Sequence, residues 1–175
     1  MSSVVISGDT SGAITLAAPA VSGTNTATLP AATGTVMVSG NMPAFSAYQS
    51  TTQSVAAGTW TKILLQTEVF DTNNNFASST FTPTVAGYYQ VNGAVNWGIT
   101  AGVAATSIYK NGTIFYYGNF VSGSVVGICA TASGLVYCNG STDYIELYCY
   151  QTPGTNSTTV GNFATYFNGS MIRTA

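Results

Sequence analysis

The chain has no histidine, and its 175 residues hold only 3 Lys or Arg and 5 Asp or Glu. Charge is therefore 5% of the sequence, against about 25% in an average soluble domain. Each shortage excludes something. Without histidine, the usual general acid/base and the commonest metal ligand are gone. Three basic residues cannot build the positive patch that phosphate neutralisation needs, so nucleic acid is excluded as a partner. No apolar run approaches the roughly 18 residues of a spanning helix, so no membrane insertion is expected. The opening Met1-Ser2-Ser3-Val4-Val5-Ile6-Ser7-Gly8-Asp9 has neither the basic start nor the apolar stretch of a secretion signal. No glycine-rich loop ends in Lys-Ser/Thr and no Cys-x-x-Cys occurs, so no cofactor is implied. The cysteines, Cys129, Cys138 and Cys149, are odd in number. A hairpin across Asn139–Asp143 would leave Cys149 too far along its strand to reach Cys138. Three buried free thiols are expected. None has a histidine to make it a nucleophile.

What is present is neutral and polar. Ser, Thr, Asn and Gly fill 77 of the 175 positions, so hydroxyls and amides must keep the surface wet. Apolar residues at 46% and aromatics at 12% rule out a disordered chain. Helix formers are scarce, and no 3.6-residue stripe lasts beyond a turn. Runs of Thr, Val, Tyr, Phe and Ile cut by Gly, Asn and Pro read instead as strands. Four Asn-x-Ser/Thr triplets, beginning at Asn111, Asn139, Asn156 and Asn168, read as turn chemistry in a chain with no secretion signal.

Two regions separate. Residues 1–40 have no aromatic residue and one charge, Asp9. Short alternating segments are expected at 4–6, 13–16, 26–29 and 35–38. Their small side chains bury little, at about 25 cal/mol per Å2, so they need a neighbour. We expect residues 1–42 to form a β-rich attachment or intertwining segment and residues 43–175 the compact domain. In the latter, strands are expected at 44–48, 59–70, 87–97, 106–109, 113–117, 124–138, 144–150 and 164–172. Trp60 stands at the entry of the second, with Ile63, Leu65 and Val69 as core candidates. Lys110-Asn111-Gly112 should close a hairpin, because Asn-Gly tolerates the positive φ angles of a tight turn. The count suits a double-sheet jelly roll.

The order of motifs resembles the globular head of complement C1q and the related tumour-necrosis-factor-like jelly rolls. Pro43-Ala44-Phe45-Ser46-Ala47 is similar to the family's first strand, and Phe70-Asp71 with Phe76 to its Tyr-Asp…Phe turn. Phe81-Thr82-Pro83-Thr84-Val85-Ala86-Gly87-Tyr88-Tyr89 resembles its Phe-x-x-Pro-x-x-Gly-x-Tyr-x-Phe element. Lys110-Asn111-Gly112, Asn139–Leu147 and Phe167–Ile172 resemble its hairpin, its Gly-Asp-x-Val-x-Leu strand and its last strand. The resemblance implies an all-β, C1q/TNF-like jelly-roll β-sandwich and a homotrimer about a threefold axis. There is no collagen stalk. Phrases such as Ser7–Leu16 and Ala27–Val36 resemble the N-terminal segments of tailed-phage fibre and head-appendage proteins. They imply a virion surface protein assembled in the host cytoplasm, a capsid decoration or head fibre docked on the major capsid protein. The alternative is a receptor-binding tail-fibre tip that recognises a cell-surface glycan. Val4, Ile6, Ile14 and Leu16 are the candidate particle anchors. Tyr88, Trp97, Tyr116, Tyr117, Tyr148 and Tyr150 are the candidate trimer-interface or ligand contacts.

Catalysis is the weaker reading. Glu68 with Asp71, and Asp143 with Glu146, are spaced three apart, which points them to opposite faces of a strand. Asp71, Asn73 and Asn75 could offer oxygens to calcium but lack the acidic count of a strong site. An Asn-rich turn is the simpler expectation. The chain is not expected to be an enzyme and has no expected metal ligand.

Overall fold

The computed structural model describes residues 3–21, 23–28, 31, 33–34, 36–152 and 154–175; at 3, 99–101 and 124–126 it describes the backbone alone. The chain divides into two units, Met1–Gly34 and Thr35–Ala175. This boundary falls earlier than residue 42, because Met37 packs against the core of the second unit and Gly40 accepts a hydrogen bond from the Asn73 amide at 3.0 Å.

The first unit holds one hairpin. Ser3–Ser7 (β1) pairs antiparallel with Ala13–Ala17 (β2), with Val4 opposite Leu16 and Ile6 opposite Ile14. Directly opposed residues share a face, and strand residues two apart do too. All four candidate anchors therefore lie on one face of the hairpin, 55–68% exposed. Gly12, at φ +81, supplies the left-handed turn residue. The expected strands at 26–28 and 36–38 do not form. Their Ala, Thr and Val side chains offer too little area to hold a strand without a partner. Leu29 and Thr35, in the same expected strands, lie outside the described residues.

The second unit is built of Ala44–Tyr48 (β3), Ser54–Val55 (β4), Thr61–Lys62 (β5), Thr67–Asp71 (β6), Phe76–Ala77 (β7), Thr80–Phe81 (β8), Gly87–Lys110 (β9), Thr113–Cys138 (β10), Ile145–Gln151 (β11), Asn156–Ser157 (β12) and Tyr166–Thr174 (β13). β9 and β10 form one hairpin of 24 and 26 residues, and the pairings of its two ends differ. The first half of β9 pairs with β13, which pairs with β3, which pairs with β6. The second half pairs with β11, which pairs with β5 and β8. The hairpin thus contributes two strands to each of two layers. Side chains prove that the layers face each other. Phe45 on β3 stacks on Phe81 of β8 at 4.2 Å, although three strands separate them in the hydrogen-bonded order.

The core between the layers follows the alternation. Phe45, Tyr89, Val91, Val95, Trp97, Ile108, Val136, Ile145, Leu147 and Phe167 all point inward and are buried. Ile63 and Leu65 join them as expected, but Val69 does not: it is exposed. The expected strand 59–70 is broken at 63–66, where the chain crosses from β5 in one layer to β6 in the other, and the crossing resets the alternation. Loop 139–144 also crosses between layers. β9 separates β10 from β11, so the hairpin expected across Asn139–Asp143 does not exist. Cys138 and Cys149 are buried, and burial pushes both thiols up to about 12. Cys129 is exposed rather than buried, since it faces outward on β10 opposite Asn96.

Gly93 makes room for the facing layer, since a Cβ there would collide with Leu147 Cδ1. Gly93→Ala should cost about 1–3 kcal/mol through overpacking, read as a lower urea midpoint with an unchanged slope.

Candidate interaction surfaces

The described residues contain no cluster of three or more His, Cys, Asp or Glu that could hold a metal. Three of the four candidate carboxylates are structural, and Glu68 is exposed on β6. Asp71 accepts hydrogen bonds from the Phe76 amide at 2.6 Å and the Asn73 amide at 3.4 Å. The Asn75 side chain is bonded to Asn73 and Thr84. This is the Asn-rich turn, with its oxygens spent on its own backbone. Glu146 pairs with Lys62 at 2.7 Å and accepts from Thr80 at 3.1 Å, tying β5, β8 and β11 together.

Asp143 locks the tip of the long hairpin. The turn Asn111-Gly112 has φ +52 and +74, the backbone that two-residue hairpins require. The Asn111 amide donates to Asp143 at 2.7 Å, Lys110 Nζ lies 2.9 Å from it, and the Asn139 amide donates at 3.0 Å. These groups hold the Asp143 carboxyl below its ordinary range, the Asn111 bond most of all. The lock therefore stabilises the fold above about pH 4, where an unfolded carboxylate is charged, and is lost as pH falls through the lower folded value. Asp143→Asn should lower the urea midpoint at pH 7, and the gap to the native protein should close as the pH drops below 4.

The candidate aromatic residues divide into three groups. Trp97 is not a surface contact: it is 0% exposed, inside the sandwich, because it falls on the inward parity of β9. Tyr88 belongs to the outward face of the first layer. Its ring lies 5.4 Å from Tyr137 on β10, and Arg173 sits over it at 5.5 Å. Tyr116 closes the open side of the sandwich. It donates to the Leu135 carbonyl at 3.2 Å, and its ring fills the place a Cβ at Gly134 would take. Beside it Phe115, Leu135 and Tyr137 are exposed.

Tyr117, Tyr148 and Tyr150 lie on the outward face of the second layer. The register places Tyr148, Ser107 and Tyr117 in one cross-strand row and Tyr150, Ala105 and Phe120 in the next. Small residues on β9 thus stand between aromatic residues on β11 and β10. Trp60, beside Tyr150 at the end of β5, spans this floor. Its ring lies 5.4 Å from Tyr150, 5.8 Å from Tyr117, and 6.3 Å from both Tyr109 and Phe120. Tyr109 and Tyr148 stack at 3.7 Å. Trp60 and Phe120 are the members that sequence reasoning missed. The aromatic content of the strands was visible, but the pairing that collects them was not.

No protein-family model matches the chain, and no curated protein sequence does. Solved structures do. Murine APRIL superposes with a TM-score of 0.61 at 9% identity, over 75% of this chain and 99% of its own. The globular domain of zebrafish complement 1qA gives 0.56 at 17%, over 76% and 98%. The PRD1 vertex protein P5 gives 0.54 at 19%, over 75% and 97%. The fold is thus an all-β jelly roll of the C1q/TNF type.

Proposed function

We propose that the chain is a structural protein of a phage virion, a homotrimeric capsid decoration or head fibre without enzymatic activity. The observation that carries the assembly is the β10 edge. Among the described strands β10 pairs with β9 alone, which leaves one side of its 26 residues unpaired. Natural proteins blunt such edges with Lys, Pro or bulges. β10 has no charged residue and no proline. Bulges interrupt it between Ile114 and Tyr116 and between Tyr117 and Phe120, but its second half pairs without a shift from Ile128 to Cys138. There Leu135 and Tyr137, joined by Tyr88, Phe115 and Tyr116, form an exposed aromatic and aliphatic patch. Covering this patch with copies of itself removes the liability, which suits the homotrimer that the C1q/TNF-like resemblance implies.

The virion reading is supported by the likeness to the vertex protein of phage PRD1 and by the first unit. A two-stranded hairpin is marginal in water alone, and this one turns four aliphatic side chains outward. In the proposed assembly, three such hairpins dock on another virion protein, the major capsid protein, and avidity strengthens contacts that are weak singly.

The purified protein should sediment at three times the 18.0 kDa of one chain. Leu135→Asp combined with Tyr137→Asp should return it to the monomer while keeping the far-ultraviolet signature of strands. Sedimentation of the native chain as a monomer would remove the assembly reading. Ile6→Ser with Ile14→Ser should leave the trimer intact and deplete it from particles. In cryo-electron microscopy of the particle, trimers should sit on local symmetry axes of the capsid; trimers at the tail would replace this reading with a tail-fibre tip.

A further inference from the structure

We infer that the aromatic face centred on Trp60, Tyr117, Phe120 and Tyr150 binds a neutral saccharide. Charge is the first argument. The ionisable side chains at the margin of this face are Lys62 and Glu146, and they neutralise each other at 2.7 Å. An anionic polymer or a lipid headgroup would find no free cation there, and a cationic ligand no free carboxylate. The occupant that complements the face is uncharged.

The second argument is the chemistry of the rings. Tyr117 is 60% and Phe120 56% exposed, and Trp60 and Tyr150 are half-buried. Among the described residues, the hydroxyls of Tyr117, Tyr148 and Tyr150 and the indole N–H of Trp60 have no hydrogen-bond partner. Each of these side chains offers an apolar body and a free polar tip. A sugar ring has the same division, with C–H groups on its faces and hydroxyls around its rim. A protein partner docked as a dry apolar seam would bury those tips unpaired, at a cost of about 1–3 kcal/mol for each. A saccharide stacks on the rings and bonds to their tips at once. Because Trp60 adjoins rings on β9, β10 and β11, a chain of several sugars can touch more than one ring, and the weak contacts add. The rigid floor of Ala105 and Ser107, both fully buried, presets the face before a ligand arrives.

The inference goes beyond the virion reading and does not rest on it, since failure to mount on a particle and failure to bind sugar are separate results. Leu135, Tyr137 and Tyr88 of the proposed assembly patch belong to the other layer, and Phe115 and Tyr116 adjoin the face at Tyr117.

The test uses the full chain in native affinity gels cast with soluble dextran, galactan or mannan, with dextran sulfate as the charged comparison. At least one neutral polysaccharide should retard the protein. Trp60→Ala should weaken that retardation at least tenfold, Tyr117→Ala with Phe120→Ala should do the same, and Trp60→Phe should keep part of it. Val69→Ser, on the opposite layer, should change nothing. Trp97, buried elsewhere, reports through its emission that each variant is folded. Acrylamide should quench Trp60 in the unliganded full chain, and the retarding polysaccharide should protect it. Retardation by dextran sulfate alone, by none of the neutral polymers, or undiminished in Trp60→Ala overturns the inference. So does a Trp60 already shielded without sugar, which would show that a second copy covers the face.

Discussion

The β9–β10 hairpin has to serve two layers at once, and most other features of the jelly roll follow from that requirement. One end of the hairpin extends the layer of β6, β3 and β13; the other extends the layer of β11, β5 and β8. The layers must then close over a single core at side-chain distance. Gly93 lets Leu147 of the facing layer come in, and Gly134 lets the Tyr116 ring lie across the open side. The far end needs an anchor, which Asp143 provides by bonding Asn111 and pairing with Lys110. The same geometry leaves β10 with no second strand beside it among the described residues, and its two halves meet only through side chains such as Tyr116 on the Leu135 carbonyl and Asn119 on the Thr131 amide. The closed core and the open edge are two results of one folded hairpin.

Charge is spent almost wholly inside the fold. Lys62 and Lys110 are committed to Glu146 and Asp143, and Arg173 lies over Tyr88. Asp71 holds its own turn. Among the described residues, Asp9 and Glu68 remain as carboxylates without such a role. Long-range electrostatic steering therefore has little to act through. Whatever this surface recognises, it recognises by shape, stacking and hydroxyl or amide hydrogen bonds, and salt should screen it little.

Much of the fold was legible in the residues themselves. Alternation from Gly87 to Trp97 and from Tyr144 to Tyr150 gave strands, but not which face turns inward. The Asn111-Gly112 pair gave the hairpin turn, and the motif order gave the jelly roll. What stayed hidden depends on pairings between distant segments. Val69 looks like a core residue until the chain is seen to change layers at 63–66. Trp97 looks like a contact residue until its parity is counted along a strand whose inner face is fully covered. Cys138 and Cys149 look like members of one hairpin until β9 is found between them. Trp60 was placed at a strand entry but not beside its neighbours, since only the two-residue strand β5 brings it to Tyr150. Alternation tells which residues share a face. It does not tell which strands are neighbours or what covers the face.

Polar atoms sort part of the aromatic set. The core takes Phe45, Phe76, Phe81 and Phe167, which have none, and Tyr89 with its hydroxyl bonded to the Val85 carbonyl at 2.6 Å. It also takes Trp97, whose indole N–H has no partner among the described residues, and Phe70, Phe115, Phe120 and Phe163 stay exposed. Tyr89 is held above its ordinary pKa chiefly by burial. The tyrosines at 88, 117, 137, 148 and 150 are placed instead on outward faces and at the edge, exposed or half-buried, and Tyr116 at the edge bonds the Leu135 carbonyl. Had these positions been filled by Phe or Leu, the same patches would be sticky to any apolar surface. With Tyr and Trp they are apolar enough to bind and polar enough to stay soluble unoccupied. A protein with so few charges has no other means of keeping a large exposed aromatic surface both wet and selective.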